Sequence, residues 1–175
     1  MIALDTNLLV YAHRRDNPFH QDAARCVRSL AEGRSAWAIP WPCLHEFVSV
    51  VTHPRIYTPP TPLGRALDQV SAWLDSPSLV VLGETAGYWP TLEHLARAAR
   101  TSGPRIHDAR IAALCELHAV RELWSADRDF SRFPDLPLRN PLSGDFLVHE
   151  TPAPWDSRRP HRRARKNSAE RRSAR

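Results

Sequence analysis

Ile2-Ala3-Leu4-Asp5-Thr6-Asn7 is the stretch on which the fold turns. Three apolar residues in a row suit a short strand buried on both faces, not one that alternates between core and water. The run stops at an acid, a hydroxyl and an amide. Leu8, Leu9, Val10 and Tyr11 then resume as the first turns of a helix. The same beat recurs along the chain. Segments 36–39, 79–82 and 122–125 read as further short strands, and 136–138 as an edge strand. Between them, apolar residues at three-and-four spacing predict helices over 20–34, 43–53, 63–74, 88–100 and 106–119, with a proline-rich loop at 54–62. Strands alternating with helices predict an α/β fold whose parallel sheet is covered on both faces. In open sheets of this kind, ligands sit beyond the carboxyl ends of the strands. Asp5 and Asp127 both fall at such ends.

The chain has 175 residues, of which 42% are hydrophobic and 25% charged, enough to bury one core. No apolar run approaches the roughly 20 residues of a bilayer span. Asp5 interrupts the only apolar stretch near the start and no basic residues lead it, so a signal peptide is not expected. Cys26, Cys43 and Cys115 are odd in number and widely spaced, with no C-x-x-C pair, which excludes a disulfide framework or zinc knuckle. These features predict a reduced, cytoplasmic protein with no membrane role. The net charge of +5 is unevenly placed: 151–175 carry +7 and 1–150 carry −2. Residues 1–150 are therefore expected to form one mildly acidic domain. Segment 151–175 lacks apolar periodicity and reads as a basic, disordered tail, either a tether for polyanions or a solvated extension.

Four acids stand among apolar or helix-forming neighbours: Asp5, Glu46, Asp108 and Asp127. Taken singly, each has an ordinary structural role. Asp5 or Asp108 can cap a helix, Glu46 can pair with an Arg, and Asp127 or Asp129 can belong to a turn. Taken together they would put several carboxylates at one place, which demands a compensating cation. Oxygen-only ligands suit Mg²⁺ or Mn²⁺ better than zinc, and such ions serve phosphodiester hydrolysis. Other motifs fail on inspection. His45-Glu46 lacks the second His of a zinc-protease helix, and the six glycines form neither a phosphate loop nor a nucleophile elbow.

Four segments carry a more specific resemblance: Ile2-Ala-Leu-Asp-Thr-Asn7, Leu44-His-Glu-Phe47, His107-Asp-Ala-Arg-Ile-Ala-Ala-Leu114 and Ser125-Ala-Asp-Arg-Asp-Phe130. In order and spacing, within 1–140, the sequence resembles the PIN-domain family, and within it the VapC-type toxins of type II toxin–antitoxin systems. The resemblance implies a three-layer α/β/α fold with a short central parallel sheet. It implies a Mg²⁺-dependent endoribonuclease that hydrolyses RNA phosphodiester bonds with metal-activated water, Mn²⁺ being a plausible substitute. Asp5, Glu46, Asp108 and Asp127 would form the catalytic acidic site, with Asp5 and Asp108 the principal metal ligands. Asn7 and Ser125 would orient carboxylates and water, and Asp129 is a further acid able to approach the metal. A homodimer and a cognate VapB-like antitoxin are the implied partners. Arg14, Arg15, Arg110 and Arg128 flank the acids and are candidate phosphate contacts. Two other readings compete with this one: a catalytically silent PIN-fold module that binds RNA or a partner, and a small-substrate metal phosphatase.

Overall fold

The computed structural model describes residues 1–143. The basic segment 151–175, and the boundary expected at residue 150, lie outside the described residues. Strands β1 (Ile2–Leu4), β2 (Trp37–Pro40), β3 (Leu79–Leu82), β4 (Glu122–Trp124) and β5 (Leu138–Arg139) form one all-parallel sheet in the order β3-β2-β1-β4-β5. Helices α1 (Thr6–His13), α2 (His20–Ala31), α3 (Trp41–Val51), α4 (Leu63–Leu74), α5 (Tyr88–Ala98) and α6 (Ile106–Leu117) flank it. The α/β class and the parallel sheet are as the apolar runs predict. Among the described residues, no helix is long and apolar enough to cross a membrane.

The central strands are buried on both faces, which explains why they read as unbroken apolar runs. Ala3, Leu4, Ala38, Ile39 and Leu123 are all fully enclosed. Each buried Leu or Ile contributes about 1.5–3 kcal/mol relative to leaving it in water. Helix α6 is enclosed nearly all round: Ala109 and every residue from Ile111 to Cys115 are buried. Such a helix has no polar face, and Asp108 sits in its first turn, where the enclosed stretch meets solvent. The three cysteines are free and buried, as the absence of a disulfide pattern predicts.

Several boundaries differ from the sequence expectation by one to three residues, and prolines account for three of them. Helix α3 begins at Trp41 and carries Pro42 in its first turn, where the missing N–H costs nothing. Pro40 ends β2 and directly precedes α3. The edge strand starts two residues later than expected, because Pro137 can only accept, taking the Leu123 amide at 2.8 Å while Leu138 and Arg139 pair with β4.

Candidate active site

Strands β2 and β3 lie to one side of β1, and β4 and β5 to the other. The direction of winding therefore reverses between β1 and β4, and in open α/β sheets the carboxyl ends of the strands beside such a point are where ligands sit. Asp5 follows β1 and Ser125 follows β4, so the two are adjacent in space though 120 residues apart. The Asp5 amide donates to the Trp124 carbonyl at 3.1 Å, which extends the β1–β4 ladder to the acid itself.

Asp5 is 5% exposed and both of its carboxylate oxygens are held. The Thr6 amide donates to Oδ1 at 2.7 Å, so Asp5 does cap α1. Asn7 Nδ2 at 2.6 Å and Ser125 Oγ at 2.7 Å both donate to Oδ2. Ser125 Oγ in turn accepts from Asn7 Nδ2 at 2.8 Å and from the Asp127 amide at 2.9 Å. Asn7 Oδ1 accepts the Ala126 amide at 3.2 Å. The knot fixes the Asp5 rotamer and ties the turn after β4 to the turn after β1. Burial pushes the Asp5 carboxyl up to about 7; the hydrogen bonds from Ser125 and Thr6 oppose that, while the charges of Glu46 and Asp127 add to it.

The other acids gather around this point. Glu46 is exposed on α3, and Thr6 Oγ1 donates to its Oε2 at 2.6 Å. Asp108 is half-buried at the start of α6, but Arg105 precedes that helix and no side chain caps it. The helix-cap role open to Asp108 in the sequence is thus not the one it takes. Its carboxyl is raised by burial first, and then by Asp127, Asp129 and Glu46, with Arg132 opposing. Asp127 is exposed and its Oδ1 accepts the Asp129 amide at 2.8 Å, the turn role its position allowed. Asp5 therefore feels the negative charges of Glu46 and Asp127, and Asp108 those of Asp127, Asp129 and Glu46.

A divalent cation fits this donor set. Every donor is a carboxylate oxygen, the charges repel one another, and the buried member is held with its oxygens fixed. Among the described residues no three His, Cys, Asp or Glu side chains converge tightly enough to enclose an ion by themselves.

The nominated arginines have diverse settings. Arg14 is spent on Asp16 through two nitrogens, at 2.9 and 2.6 Å, and Arg110 on Glu84 at 2.9 Å. Arg15 and Arg128 are exposed. Three residues at the site were not nominated by sequence reasoning. Thr6, lying between two nominated residues, holds Glu46. Cys43, one helical turn before Glu46, points its thiol at Asp5 Oδ1 from 3.9 Å. Arg132 reaches Asp129 at 3.2 Å, with its Nε buried and unpartnered among the described residues.

A family model described as PIN domain matches residues 2–136. The chain is 31% identical over 140 residues to Ribonuclease VapC48 of Mycobacterium tuberculosis, covering 80% of this chain and 97% of that protein. It is 36% identical over 144 residues to Ribonuclease VapC43 of the same organism, covering 82% and 97%. Among solved structures, VapBC2 from Rickettsia felis bound to a DNA fragment from their promoter aligns with a TM-score of 0.58 at 21% identity, over 80% of this chain and 98% of that one. That last likeness is one of fold.

Proposed function

The chain belongs to the PIN domain family, and from that premise we propose that it is a Mg²⁺-dependent endoribonuclease, the toxin component of a VapBC-like toxin–antitoxin pair. One observation carries the reading: a buried carboxylate, Asp5, is locked at the carboxyl ends of β1 and β4 within electrostatic range of Glu46 and Asp127. Relatives named as VapC ribonucleases support the nuclease, and the VapBC2 structure supports an antitoxin partner.

In this reading Asp5 and Asp108 hold the cation. When bound, the cation supplies Lewis-acid polarisation of a phosphoryl oxygen and eases deprotonation of the attacking water. Glu46 is restrained at Oε2 by Thr6, which leaves Oε1 to accept a proton. Asp127 has Oδ1 engaged in its own turn and presents Oδ2. Asn7 and Ser125 keep Asp5 in one rotamer, so no search precedes the chemistry. Asp129 is held by Arg132 and adds negative charge at the rim. The partners in this account are an RNA substrate, a cognate VapB-like antitoxin and a second copy in a homodimer, all in the cytoplasm.

The test is incubation of the purified, antitoxin-free protein with a structured RNA pool, in Mg²⁺ and in EDTA. Discrete cuts that require the metal are expected. RNA binding without metal-dependent turnover would favour the silent binding module, and hydrolysis of a generic phosphomonoester without action on RNA would favour the phosphatase.

A further inference from the structure

A phosphodiester chain approaching Asp5, Glu46, Asp108 and Asp127 meets a cluster of like charge. Its affinity has to come from cations placed elsewhere, and two of the nominated arginines, Arg14 and Arg110, are already paired with acids. A cavity of about 830 Å³ opens at the far end of α1, walled by the α1–α2 turn, α2, residues 59–62 and α4. Arg14, Arg15, Arg28 and Arg65 all line it.

Arg14 forms the built part of this cavity. Besides gripping Asp16, its guanidinium lies 4.0 Å over the Tyr57 ring and donates to the Pro59 carbonyl at 3.2 Å and to Thr61 Oγ1 at 3.3 Å. Asp16 is thereby neutralised and the loop carrying Pro59 and Thr61 is pinned. Arg15, Arg28 and Arg65 are exposed and, among the described residues, form no ion pair or side-chain hydrogen bond. Asp68 is the one remaining carboxylate in the lining, so an excess of positive charge faces the space. His13, in the wall, is held below its ordinary value by burial, with the charges of Arg14, Arg65 and His20 acting in the same direction.

The cavity and the candidate active site lie at opposite ends of α1. Asp5 caps the start of α1 and His13 ends it, eight residues or about 12 Å away. The His13 ring packs edge-on against Phe47 with centroids 5.2 Å apart, and Phe47 directly follows Glu46. The two places are thus about 12 Å apart along α1, whose Thr6, Leu8, Leu9 and Val10 are buried, so a polynucleotide that reaches both passes over neighbouring elements and not along the helix itself.

We propose that this cavity anchors the phosphate backbone of the RNA substrate, with Arg15, Arg28 and Arg65 as its contacts. The proposal rests on the ribonuclease reading. Guanidinium forks match phosphate oxygens bidentately. An acidic peptide would also suit the cations; a nucleic acid is favoured because, on the ribonuclease reading, its phosphates must be held near the acids at the other end of α1 against their like charge.

The experiment measures binding of a labelled single-stranded RNA to the full chain in EDTA, where no turnover occurs, over a series of KCl concentrations. For the double variant Arg28→Gln/Arg65→Gln, the slope of log affinity against log salt should shrink by about 1.5, and affinity at low salt should fall at least about tenfold. Arg28→Lys/Arg65→Lys should retain most of the slope, and in cleavage assays the glutamine variant should lose more in KM than in kcat. Thermal melting of both variants at the wild-type temperature shows that the fold is intact. An unchanged slope and affinity in the folded glutamine variant would overturn the proposal. So would loss of binding to polyglutamate with RNA binding retained, which makes the occupant an acidic peptide. Because binding is read without turnover, a wild type that binds RNA through these arginines yet never cuts it overturns the ribonuclease reading and not the anchor.

Discussion

Asp5 carries an energetic cost that the rest of the site is arranged around. Its folded-state carboxyl is raised from 3.8 to about 7, so between those values the folded chain holds a proton that the unfolded chain releases. The stability this group contributes is fully present below 3.8 and is lost as pH rises through 7. In EDTA, stability of the wild type should therefore fall from about pH 5 to about pH 8, with an upper bound on the order of 3 kcal/mol over that range. Asp5→Asn should flatten that dependence, and added Mg²⁺ should restore wild-type stability at the alkaline end; scanning calorimetry across pH reads all three. Ser125→Ala removes a donor to Asp5 and an acceptor for the Asp127 amide. It should cost about 1–3 kcal/mol in urea unfolding and lower kcat more than it changes KM. Asp5 is legible in the sequence because it ends an apolar strand, whereas Asn7 and Ser125 are legible only through the family resemblance. Thr6 is not, since a hydroxyl in a first helical turn is ordinary until Glu46, 40 residues on, is placed against it.

At the scale of elements, α3 links the core to the site. Phe47 is fully buried against Trp73 and His13, while Glu46 beside it faces solvent. Phe47→Ala should destabilise the protein by about 3–5 kcal/mol. Below its melting point the variant should also lose activity, because the helix that aims Glu46 has lost its anchor; denaturant melts beside initial rates at low temperature separate the two effects. The strands were readable from apolar runs and the helices from their spacing. Proline drew the boundaries wrongly: Pro42 reads as a stop, yet sits comfortably in a first helical turn. The cationic cavity was not readable at all. Arg28 and Arg65 occupy exposed positions on two separate helices, and only packing brings them to one space.

For the whole molecule, charge is divided between the acidic candidate site and basic groups at a distance. Residues 1–150 carry −2 and 151–175 carry +7. Polyanion affinity should thus depend steeply on salt, with the basic segment adding to whatever the cavity supplies. A chain ending at residue 150 should bind RNA with a salt slope smaller by more than about 2, and should cut at the same positions as the full chain. The central claim is that Asp5 and Asp108 belong to one metal-dependent, RNA-cleaving site. It is tested most directly by mapping RNA ends produced in Mg²⁺ by the wild type, Asp5→Asn and Asp108→Asn, each shown to be folded by its melt. Discrete cuts by the wild type that vanish in both variants are predicted. Cuts at the same positions and comparable rates in either folded variant would contradict the account.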